Sequence, residues 1–186
     1  MANTRANYIA AALLLLAHCV AQLQLTAAGD KCRNSVVSYY LQQEVGQTEL
    51  RMVAAARPAV NGTATGFGQE VVYEFVMTST ADPASDVMGY VRGTAVVVNN
   101  TAAASVFFAS NVVHYEYGGV NGTFSQQGEA VFSRPPWEYA VVGGTGDFGR
   151  VQGYNVGTIV SSSPTPSGSR HIVTYYEAHL CSIGDN

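Results

Sequence analysis

From Ser35 to Leu180 the chain is a succession of runs rich in Val, Thr, Tyr and Phe, cut at short intervals by Gly, Asn, Ser and Pro. No segment sustains a helical period. β-branched and aromatic side chains lose rotamer freedom in a helix but pack well on a pleated surface, so this pattern points to an all-β fold. The runs are Ser35–Gln42, Glu49–Ala56, Phe67–Thr78, Val87–Val98, Ser105–Tyr117, Thr123–Phe132, Phe148–Val160 and His171–Leu180. Between them stand turn signals: a Ser/Asp loop with Pro83, Asn99-Asn100, the Gly118-to-Gly122 hairpin turn, Arg134-Pro135-Pro136, and the Ser/Pro/Gly loop 161–169. Gly143-Gly144-Thr145-Gly146 reads as a tight turn between strands. About eight hairpin-linked strands predict an eight-stranded antiparallel up-and-down β-barrel, because closure removes exposed edges. Such a barrel has an interior wide enough for side chains or one small ligand. Its inside or mouth is therefore the expected site.

The N-terminal segment has a different character. Arg5 precedes an apolar stretch from Tyr8 to Val20, and the small residues Ala21, Ala27 and Ala28 follow. That order predicts a secretory signal peptide over 1–28, with cleavage after Ala21 or Ala28, and one domain over 29–186. The apolar run is shorter than the roughly 20 residues a membrane span needs. Removal of the signal leaves Cys32 and Cys181. An even count in an exported chain suggests a disulfide, the alternative being two free thiols. It would close nearly the whole mature chain into one loop, worth on the order of 5 kcal/mol by chain entropy. Three N-x-S/T sequons, at Asn61, Asn99 and Asn121, fit the same route, and two of them are Asn-Gly turn dipeptides.

Charge and motifs narrow the function classes. Nine basic residues stand against thirteen acidic ones, with no Lys/Arg cluster. Neither nucleic acid nor an anionic membrane surface is an expected partner. His114, His171 and His179 do not share metal-ligand spacing: the last two are eight residues apart on one predicted strand. No metal and no cofactor are expected. H-E-x-x-H, G-x-S-x-G and a phosphate loop opening a helix are all missing from the sequence.

The most specific run is Ala140-Val141-Val142-Gly143-Gly144-Thr145-Gly146-Asp147-Phe148, followed by Gln152-Gly153-Tyr154. It resembles the V-V-G-G-T-G-x-F and A-R-G signature of plant dirigent proteins. Gly66-Phe67-Gly68, Val87 to Gly93 and the two terminal cysteines fall in that family's order, so the resemblance covers residues 32–181. It implies an eight-stranded barrel, usually a trimer, exported to the cell wall. Dirigent proteins steer the coupling of two phenoxy radicals, typically of a monolignol such as coniferyl alcohol, toward one stereoisomer. A separate oxidase or laccase makes the radicals, and the barrel itself has no oxidase activity. Some relatives instead catalyse dehydration or ring closure at a quinone methide.

Several positions depart from the family pattern. Its His-Asp pair falls on Leu41-Gln42, and its acid after the Gly128 equivalent falls on Ala130, beside Glu129. Its Arg-acid pair before V-V-G-G is Trp137-Glu138, its A-R-G arginine is Gln152, and its acidic pair after F-G is Glu74-Phe75. The expected site is then Glu129 as the substitute acid, with Gln42, Tyr115, Trp137 and Ile159 lining the pocket. Glu129 and Tyr115 in one cavity would favour radical coupling or cyclisation. A cavity of Leu41, Trp137 and Ile159 without an acid would favour a protein that only binds a phenol or carbohydrate, or that acts structurally in the wall.

Overall fold

The computed structural model describes residues 32–55, 66–99 and 104–184. The predicted signal and the sequon at Asn61 lie outside them. The described residues form nine strands and no helix: β1 Cys32–Glu44, β2 Glu49–Val53, β3 Glu70–Thr78, β4 Val87–Asn99, β5 Val106–Tyr117, β6 Val120–Ala130, β7 Trp137–Gly146, β8 Val151–Pro164 and β9 Arg170–Ile183. From β3 to β9 each strand pairs with the next, β9 pairs with β1, and β1 pairs back onto β3. This is a closed eight-stranded antiparallel barrel.

The ninth strand is β2. It lies along the half of β3 that β1 leaves uncovered: Tyr40–Gln42 of β1 face Val76–Thr78, while Glu49–Val53 of β2 face Glu70–Tyr73. Two differences from the sequence reading therefore cancel in the count. The run beginning at Glu49 is an accessory strand and not a stave, and the Trp137–Gly146 segment, expected to end in a turn, is a stave. The glycines hid β7, since Gly weakens a strand on propensity alone. Here they are needed for close approach. A Cβ on Gly144 would come within 2.5 Å of the Thr123 carbonyl oxygen of β6 and closer still to that of Phe148.

Alternation along the strands builds the core. In β7, Trp137, Tyr139 and Val141 are buried while Glu138, Ala140 and Val142 face out. In β6, Phe124, Gln126 and Ala130 are buried while Gln127 and Glu129 are exposed. One end of the barrel is filled: Tyr115 and Phe124 each meet Phe148 edge-on, at 5.7 and 5.4 Å between ring centres. Cys32 and Cys181 are disulfide-bonded. Asn99 ends β4 and Asn121 is the second residue of β6, just after the hairpin turn, and both are exposed.

Candidate functional site: the open end of the barrel

Midway along the barrel a buried polar layer forms a floor. The Asn155 amide donates to the Tyr39 hydroxyl and to Gln126 Oε1, each at 2.7 Å, and the Tyr39 ring stacks on Tyr176 at 5.5 Å. Beyond this layer the ends of β1, β4, β6 and β8 and the starts of β3, β5, β7 and β9 surround an unfilled cavity of about 180 Å³. Leu41, Val71, Phe75, Val91, Phe107 and Phe132 give it apolar walls, and Ile159, Ile172 and Val45 also contribute. Trp137 lies on one side, its ring edge-on to Phe132 at 5.0 Å.

The polar groups in the lining are few. Gln43 donates to the Thr174 hydroxyl at 2.8 Å, and Gln126 belongs to the floor. Asn111 Nδ2 donates to the Tyr73 hydroxyl at 3.0 Å, while its buried Oδ1 has no hydrogen-bond partner. Tyr73, Tyr139 and Tyr176 also face the cavity. Burial pushes all three phenols up, Tyr176 to about 12, so they remain neutral across the physiological range. Among the described residues, the lining holds one carboxyl group, Glu49, and no Lys, Arg or His.

Glu49 reaches the cavity through the β1–β2 turn. Gly46 adopts φ +82°, a left-handed conformation that glycine takes without strain. The Glu44 carbonyl accepts the N–H groups of Gln47 and Thr48 at 3.0 and 2.9 Å, and the Thr48 hydroxyl accepts the Glu44 N–H at 2.9 Å. The tightly closed turn sets Glu49 opposite Tyr73 of β3. The rest of β2 is exposed, so Glu49 is the residue this strand contributes to the cavity. Desolvation raises its carboxyl above the ordinary glutamate range.

Of the residues expected from sequence, Trp137 and Ile159 line the cavity, as does Leu41. The other three do not. Glu129 is exposed on the outer face, because Gly128 and Ala130 lie either side of it and the β5–β6 register runs without a bulge from Tyr117–Val120 to Phe107–Ala130. Gln42 turns away from the interior and donates to the Thr78 hydroxyl at 2.8 Å, under the Thr80–Ala81 loop. Tyr115 sits at the filled end against Phe148. The cavity thus unites Leu41, Trp137 and Ile159 with an acid, but that acid is Glu49. Sequence reasoning missed it because Glu49 opens a short run with no clear alternation.

The described residues thus form a closed barrel with one open, aromatic-walled end whose lining holds a single acid. The family follows from comparison with known proteins: the model of the Dirigent-like protein family matches residues 35–179, and the chain belongs to that family. Its fold is similar to that of the pterocarpan synthase dirigent protein PsPTS1, with a TM-score of 0.70 and 19% identity over 82% of this chain and 97% of that one. The pterocarpan synthase dirigent protein GePTS1 is similar at TM-score 0.68 and 16% identity, over 83% and 88% of the two chains. A pyocyanin demethylase shares the fold at TM-score 0.55 and 15% identity, over 78% and 99%. No curated protein matches the chain.

Proposed function

We propose that this dirigent-family barrel holds a phenol of the monolignol class in its open-end cavity and directs the stereochemistry of phenoxy-radical coupling, the radical being made by a separate oxidase or laccase. The observation that carries this reading is the chemistry of the lining, which is aromatic and aliphatic walls with a few uncharged polar groups and one acid. A phenoxy radical is flat, neutral and intrinsically reactive. What a protein can add is orientation and the covering of one face, which is catalysis by positioning in a water-poor site. Export to the cell wall and assembly as a homotrimer belong to the same proposal.

One observation favours a second reading, ring closure or addition at a quinone methide. Glu49 is a desolvated carboxyl on the cavity wall. As a hydroxyl group adds to the exocyclic carbon of the quinone methide, the acid proton passes to the ring oxygen. The carboxylate then takes up the proton of the added hydroxyl, so the carboxyl is regenerated and the ring regains aromaticity.

The test is incubation with coniferyl alcohol and a one-electron oxidant, followed by chiral chromatography. The coupling reading expects an enantiomeric excess that scales with protein concentration. Racemic product from every monolignol tried overturns it, and turnover of a preformed quinone methide in the same preparation would then establish the second reading.

A further inference from the structure

Asn111 is 6% exposed, and its Oδ1 has no hydrogen-bond partner although the side chain lines the cavity. A buried carbonyl oxygen without a donor leaves its desolvation uncompensated, and a ligand hydroxyl that reaches it recovers that cost. One N–H of the same amide donates to the Tyr73 hydroxyl. The unpartnered atom of Asn111 is therefore its acceptor oxygen. Tyr73 in turn stands opposite Glu49, so both polar groups lie in one sector of the wall.

The charge balance of the same cavity points to a second selection. A carboxylate entering it would meet the Glu49 carboxyl and, among the described residues, no lining cation. Two carboxyl groups sharing a desolvated site do not both ionise, so an acid ligand must take up a proton to bind at neutral pH.

We propose that Asn111 selects ligands with a free phenolic hydroxyl and that Glu49 rejects ligands bearing a carboxylate, so that the cavity takes neutral phenols and not phenolic acids. The proposal rests on the cavity being the phenol site described above.

Trp137, the one tryptophan of the chain, lines this cavity and is 5% exposed, so its fluorescence reports occupancy without any reaction. Three probes are titrated at pH 7 into the intact mature protein: coniferyl alcohol, its ring-O-methyl ether, and ferulate. Coniferyl alcohol is expected to bind about tenfold more tightly than the ether, the value of one recovered hydrogen bond. Ferulate is expected to bind more weakly than the alcohol by about tenfold or more. Asn111→Leu should erase the difference between alcohol and ether, and Glu49→Gln should narrow the gap between alcohol and ferulate. The wild-type series needs no variant to fold. An ether that binds as tightly as the alcohol overturns the role of Asn111, and ferulate binding as tightly as the alcohol overturns that of Glu49, while both leave the phenol site standing. If none of the three quenches Trp137 and the coupling product is racemic, the phenol site falls and takes this proposal with it.

Discussion

The indole N–H of Trp137 donates to the Tyr176 hydroxyl at 3.2 Å, tying β7 to β9 across the intervening β8. The bridge passes over Gly157, which is in register with both residues. A Cβ at Gly157 would come within 2.6 Å of Trp137 Cε2 and 2.7 Å of Tyr176 Cε1. The missing side chain on β8 is what lets two large rings meet on the inner wall of the barrel.

Gly157→Ala should therefore displace the indole and destabilise the protein by about 1–3 kcal/mol, the usual cost of an extra methyl in a packed core. Chemical denaturation followed by Trp137 emission measures both effects. A wild-type midpoint with unchanged emission would show that the wall has slack there.

Glu49 gives stability a pH dependence of known sign. Its folded-state pKa is raised, so the folded protein holds this proton to higher pH than the unfolded chain does. The contribution is intact below the unfolded pKa of about 4.3 and is lost as pH rises through the folded value. Glu49→Gln should accordingly be more stable than wild type at pH 7, with the difference vanishing near pH 3.5. Thermal melts of both proteins across that range settle it. A variant less stable than wild type at pH 7 contradicts the assignment.

Gly144→Val should destabilise by more than about 3 kcal/mol or prevent folding, because its Cβ would meet two backbone carbonyl oxygens, which cannot rotate away as a side chain can. The readout is the urea midpoint, with soluble yield if no folded protein is recovered. A melting temperature equal to wild type with loss of ligand binding would make this glycine part of the site instead of part of the frame.

Glu129→Gln should change neither product stereochemistry nor stability beyond about 0.5 kcal/mol, since an exposed strand glutamate has little to lose. A fall in enantiomeric excess in this variant would require Glu129 to reach a ligand from the outer face, and would move the site out of the barrel.

Much of this protein is determined by its sequence alone. Period-two alternation rests on the geometry of the strand, where successive side chains point to opposite faces. In β6 it sets Phe124, Gln126 and Ala130 on one face and Glu129 on the other, which overrides the expectation of Glu129 in the site. The all-β class and the β5–β6 hairpin follow from the same local signals, though the turn is the two residues Gly118-Gly119 and not the whole run to Gly122. Only the tertiary structure decided the rest. That β2 lies beside β3 in place of β1, that Gly144 and Gly157 serve close approach, and that Glu49, and not Glu129 or Gln42, is the acid of the cavity all depend on which backbones come together across the barrel. Those approaches are set by closure, a constraint on the whole ring of strands, and no window of the chain contains it.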